Sequence, residues 1–102
     1  MILVRFLPEA EAELLHEVKY YSTASSGVGI RFQAAVEASL ERAAHQPFGG
    51  APSPHGTRSV LVKSLPFSVV YRGNPGEILV VAIAPHRRRP GYWLERLDRT
   101  RK

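Results

Sequence analysis

At 102 residues with 44% hydrophobic side chains, the chain is long enough to bury one core and too short for two, so a single domain over residues 1–102 is expected. The absence of cysteine excludes disulfides, thiolate nucleophiles and sulfur-ligated metals, and suits a reducing cytoplasm. A net charge of +5 points to an anionic partner, nucleic acid or acidic protein, and the charge is lopsided: residues 1–57 hold four Lys/Arg against six Asp/Glu, residues 58–102 ten against three.

Residues 2–7 form a branched, apolar run that predicts a strand. With no basic stretch ahead of it and no apolar run long enough to span a bilayer, the chain reads as soluble, with no membrane partner. Pro8 then presets φ for the first turn of a helix. Glu9, Glu11 and Glu13 fall in its opening turns, where negative charge complements the helix dipole. Ala10, Leu14, Val18 and Tyr21 recur at helical spacing and make one apolar stripe. Small residues and two glycines over 22–29 break the pattern. A second stripe, Phe32, Val36, Leu40 and Ala43, follows and leaves Arg31, Glu37, Glu41 and Arg42 to solvent. Two amphipathic helices joined by a break predict a helical hairpin.

Residues 47–56 carry three prolines and three glycines and predict a loop. Three strand-like runs come next, over 57–63, 67–72 and 78–84. Asn74, Pro75 and Gly76 mark a tight turn that makes the last two an antiparallel hairpin. The final run is apolar throughout, as expected of a central strand covered on both faces. Alternation puts Phe67, Val69 and Tyr71 on one face and Ser68, Val70 and Arg72 on the other; next to them, Val60 and Val62 oppose Ser59, Leu61 and Lys63. One face can take the helical hairpin, and the other is left semi-polar. Pro90 and Gly91 separate the last strand from a short tail, read as a helix over 92–97.

The chemistry concentrates at His86-Arg87-Arg88-Arg89-Pro90-Gly91-Tyr92-Trp93. If the tail lies beside the semi-polar face, Arg58, Lys63, Arg72 and the Arg87, Arg88 and Arg89 run converge on one surface. Guanidinium forks bind phosphate bidentately, and Tyr92 or Trp93 can stack on unpaired bases. The plain alternative is a solvated basic rim with Trp93 packed inward as the anchor of the tail. His86 follows a strand end and precedes three arginines, where it can act as a proton carrier in metal-free phosphodiester cleavage or serve as a hydrogen-bonded structural residue. No phosphate-cradling glycine loop, Ser-His-Asp grouping or spaced carboxylate pair is found, so neither metal nor cofactor is expected.

Taken in order, Pro8-Glu9-Ala10-Glu11-Ala12-Glu13-Leu14, Tyr20-Tyr21, Gly29-Ile30-Arg31-Phe32, Phe67-Ser68-Val69-Val70-Tyr71-Arg72 and the octet from His86 to Trp93 resemble the RelE/ParE superfamily of bacterial type II toxins. The resemblance implies an α+β fold of order β-α-α-β-β-β, in which a twisted, mostly antiparallel sheet carries the helical hairpin on one face and a target-binding surface on the other. It also implies a cognate antitoxin, usually the product of the neighbouring gene, whose acidic or amphipathic segment wraps the basic toxin. RelE-like members cut messenger RNA in the ribosome with sheet-face cations and a C-terminal tyrosine, whereas ParE-like members inhibit DNA gyrase.

This chain offers Ser59 and Leu61 where the nucleases tend to carry lysines, Ser68 where they tend to carry an arginine, and Trp93 near the tyrosine position. Arg87 is the clearest match, and Tyr92 stands one residue out of register. The pattern is therefore more ParE-like, with ribosome-dependent cleavage or a homologue that only binds its antitoxin as alternatives. For cleavage the expected residues are His86, Arg87 and Tyr92. For holding the target or its phosphates they are Arg58, Lys63, Arg72, Arg88, Arg89 and Trp93.

Overall fold

The structure is a computed structural model and describes residues 2–98. Strand β1 (Leu3–Phe6) leads into α1 (Pro8–Ala24) and α2 (Ser26–His45); β2 (Ala51–Ser53), β3 (Thr57–Leu61), β4 (Phe67–Asn74) and β5 (Glu77–Pro85) follow, and α3 (Leu94–Asp98) closes the described chain. The five strands make one sheet in the order β1-β5-β4-β3-β2. Only β1, which returns beside β5, is parallel to its neighbour. The apolar strand β5 is thus an interior strand, paired with β1 along its first half and with β4 along its length, and the α+β architecture with a helical hairpin on one sheet face is the expected one.

Two local expectations need correction. The break predicted over 22–29 shrinks to Ser25, whose extended backbone ends α1 and begins α2. The helices approach closely there because Gly29 has no Cβ: one built at that position would lie 3.0 Å from the Val18 carbonyl oxygen and collide with the Ser22 hydroxyl. The region 47–56 is likewise more than loop. Its residues 51–53 form β2 against β3, and residues 54–56 make one turn of 3-10 helix. Pro52 is tolerated because β2 is the outermost strand and has an unpaired side.

The main core lies between the hairpin and the sheet, where Phe32 and Val36 of α2 meet Phe67, Val69 and Tyr71 of β4 and Val80 of β5. Tyr21 stacks on Phe32 with ring centroids 5.0 Å apart, and Phe32 meets Phe67 edge-on at 5.1 Å. Each such side chain contributes about 1.5–3 kcal/mol on burial. Arg42, exposed as expected, also donates to the Leu61 carbonyl at 2.8 Å and to the Ser39 hydroxyl at 3.2 Å, tying α2 to the end of β3. Among the described residues, no helix is long and apolar enough to cross a membrane.

The second sheet face is not left open. Trp93 and Leu97 from the tail pack on Val70, Val81 and Ala82, forming a smaller apolar cluster on the side away from the helical hairpin. A β-bulge between Val70 and Tyr71 shapes this face: Val70 pairs with Ala82 and Tyr71 with Val80, so Val81 has no partner across the ladder.

Candidate functional site

The tail is placed by two successive turns. The Arg88 N–H donates to the Pro85 carbonyl at 3.1 Å, and the Tyr92 N–H donates to the Arg89 carbonyl at 3.2 Å. Pro90 and Gly91 occupy the corners of the second turn, and Gly91 has φ +81°, which glycine adopts without steric cost. The chain is thereby folded back over the sheet so that Trp93, 4% exposed, enters the second cluster.

A carboxylate from α1 locks this arrangement. Glu13 accepts the Tyr92 hydroxyl at 2.6 Å, both terminal nitrogens of Arg96 at 2.8 and 3.0 Å, and the Ile83 N–H at 3.0 Å. Arg88 lies 3.9 Å from the same carboxylate, with its guanidinium 3.7 Å above the Tyr92 ring. Arg96 also donates to the Val81 carbonyl at 3.0 Å. The geometry has a clear cause. The ladder with β1 ends at Phe6 opposite Val80, so the following stretch of β5 has no strand on that side. Glu13 and Arg96 supply the partners that β1 does not.

The sequence pattern by itself places Glu13 at the helix dipole and does not single out Arg96. The signal was present: Glu13 and Glu17 fall at the spacing of the inward stripe that holds Ala10, Leu14, Val18 and Tyr21, and Glu17 is in fact buried. A carboxylate on the buried side of a helix requires a donor from elsewhere in the fold.

Burial, and then the hydrogen bond to Glu13, push the Tyr92 hydroxyl well above the ordinary tyrosine range. Burial disfavours the Arg96 charge, but Glu13 outweighs it and holds the guanidinium more firmly protonated than usual. Below about pH 10 tyrosine keeps its proton whether the chain is folded or unfolded, so the Tyr92 contact contributes a constant stability. Above that pH the unfolded chain ionises while the folded one retains the proton, and stability falls as pH rises. Tyr92→Phe is therefore expected to cost about 1.5 kcal/mol at neutral pH and to flatten the alkaline decline. The check is spectrophotometric: the absorbance titration of wild type minus that of Tyr92→Phe should show one phenol ionising above the usual range, and a step at ordinary pH would refute it.

Most of the remaining site candidates fall into three separate hollows. His86 is exposed on the second face, with Nε2 2.8 Å from the Ser68 hydroxyl. Together with Arg88, Arg89 and Trp93 these two residues line a cavity of about 460 Å3 over Val70 and Ala84. Arg87 turns toward α1 and lines a different hollow with His16, Glu13 and Glu17. Arg72 lies at the far end of β4, where it donates to the His55 carbonyl at 3.4 Å and shares a hollow with Glu95 and Asp98.

Lys63 is exposed in the β3–β4 connection. Arg58 does not join the second face. It pairs across the ladder with Tyr71, whose side chain points to the hairpin, and donates to the Gly50 carbonyl at 2.9 Å. The single continuous cationic surface expected from the sequence is thus divided, and its aromatic residues are occupied internally. Arg99, Arg101 and Lys102, which complete the basic tail, lie outside the described residues.

The matching family model is described as "ParE toxin of type II toxin-antitoxin system, parDE" and covers residues 4–90. Among solved structures, a chain of the chromosomal ParDE TA system from P. aeruginosa is similar in fold, with a TM-score of 0.70, 19% sequence identity, and coverage of 83% of this chain and 96% of that one. Among curated proteins no match is found.

Proposed function

The chain belongs to the ParE toxin family of type II toxin–antitoxin systems, and we propose that, when free of its antitoxin, it arrests growth by binding DNA gyrase rather than by cutting ribosome-bound messenger RNA. Toxin function and an antitoxin partner follow from the family; the target is our inference.

One observation carries it. The aromatic side chains of the tail are committed inside the fold, Trp93 at 4% exposure and Tyr92 between the Glu13 carboxylate and the Arg88 guanidinium. A surface that grips an unpaired base needs an exposed aromatic face. A tyrosine held protonated well beyond neutrality is also a poor proton carrier. The second sheet face further presents Ser59 and Ser68, short neutral hydroxyls that cannot neutralise a phosphodiester backbone. What remains is an apolar floor with a cationic rim, which suits a folded protein target.

Inducing the protein without its antitoxin tests the reading directly. Viability is expected to fall while total message stays intact, plasmid supercoiling is lost, and co-expression of the antitoxin restores growth. Message cleavage that disappears in Arg87→Ala would instead establish the nuclease, and unimpaired growth would mark a homologue that only binds its antitoxin.

A further inference from the structure

We infer that the cavity between the tail and the second sheet face is a docking pocket for an acidic peptide segment of the target protein, one Asp or Glu flanked by an apolar side chain. The inference rests on the reading that the target is a protein.

Charge distinguishes this cavity from its neighbours. The hollow beside Arg72 contains Glu95 and Asp98, and the hollow beside Arg87 contains Glu13 and Glu17, so in each the cation faces carboxylates of the same chain. The cavity at His86 is lined by Arg88 and Arg89 and by no acidic side chain. Arg88 is partly neutralised by Glu13 at 3.9 Å, whereas Arg89 is exposed and has no ion pair among the described residues. An uncompensated guanidinium at the mouth of a concave site attracts a carboxylate and can hold both of its oxygens.

The lining narrows the chemistry further. Val70 and Ala84 form the floor, and Pro54, Pro90 and Leu94 contribute to the wall, so most of the enclosed surface wants apolar contact. A volume of about 460 Å3 accommodates a large side chain together with part of its neighbour. The mouth is preorganised: the turns closed by Arg88 and Tyr92 fix the loop that carries Arg89, and the contact with Ser68 fixes the His86 ring. Tyr92 and Trp93 contribute to the lining, but Trp93 is nearly buried and the Tyr92 ring carries the Arg88 guanidinium 3.7 Å above it, which disfavours a stacked nucleobase.

The experiment uses the purified full chain and two blocked tripeptides, acetyl-Leu-Glu-Leu-amide and acetyl-Leu-Gln-Leu-amide, with binding followed by NMR at the Trp93 indole and at Ser68. The glutamate peptide is expected to bind about tenfold tighter than the glutamine peptide, and Arg89→Glu to abolish that preference without changing the thermal melt. In parallel, wild type and Arg89→Glu are compared as inhibitors of gyrase supercoiling, where the variant is expected to be at least about tenfold weaker.

Equal binding of the two peptides overturns the pocket. So does an Arg89→Glu variant that inhibits gyrase as well as wild type, although the gyrase reading then stands. A wild-type protein that leaves gyrase untouched but prefers the glutamate peptide keeps the pocket and removes gyrase as its owner. Displacement of the peptide by a lower concentration of oligouridylate than of free glutamate peptide would assign the cavity to nucleic acid and sink the proposal.

Discussion

Replacing Glu13 by alanine is expected to lower stability by about 3 kcal/mol and to release the C-terminal segment from the rest of the fold. Its carboxylate receives donors from three separate parts of the chain: Ile83 of β5, Tyr92 of the turn and Arg96 of α3. The Glu13 and Arg96 side chains are only 17% and 14% exposed, so water cannot readily replace either partner. Alanine would leave a nearly buried guanidinium without its counter-ion and the Ile83 N–H without an acceptor, and both losses carry desolvation penalties.

Glu13→Gln preserves the volume and one acceptor oxygen but loses the charge, and should cost less. Urea midpoints measure the first effect, and hydrogen exchange at residues 92–98 measures the release of the tail. An unchanged midpoint together with full protection at Leu97 would show that apolar packing alone holds the segment.

Trp93→Ala should be comparably severe, at about 3–4 kcal/mol. The indole is 4% exposed and forms the centre of the second cluster with Val70, Val81, Ala82 and Leu97. The cluster is too small to refill the space, because its other buried members are only two valines, an alanine and a leucine. For a domain of this size the loss corresponds to a fall of roughly 15 °C in Tm. The chain has no other tryptophan, so the melt must be followed by circular dichroism. Trp93→Phe, which keeps an aromatic ring in place, should recover much of the loss. Exchange protection should drop in β5 and α3 while α2, whose core is on the opposite face, stays protected. Uniform loss of protection would mean that the two clusters fold as one unit.

These two side chains also show where sequence reading reaches its limit. Trp93 was legible as an anchor because a large aromatic following a Pro-Gly turn has little choice but to pack. Glu13 was not, since its role depends on where β1 stops against β5, a property of strand register rather than of local pattern. Arg58 illustrates the same limit. Placing it with the other cations ignored its parity with Val60, which the alternation along β3 already implied, and the Gly50 carbonyl that receives it is contributed by a different segment. The short strand β2 escaped notice because proline normally forbids a ladder, and only its outermost position in the sheet makes it acceptable.

The order of the strands and helices other than β2, the apolar stripes of α1 and α2, the interior position of β5 and the bias of cations toward the C-terminal half were determined by the sequence alone. Each follows from periodicity, turn chemistry or charge count within a short window. The tertiary structure decided which cations remain available. Arg96 and Arg88 were drawn to a carboxylate 83 and 75 residues earlier in the chain, Arg58 was turned to the hairpin side, and Arg89 was left at the mouth of an acid-free cavity. Charge is a property of composition, but its compensation depends on distance in three dimensions, and no local pattern encodes that distance.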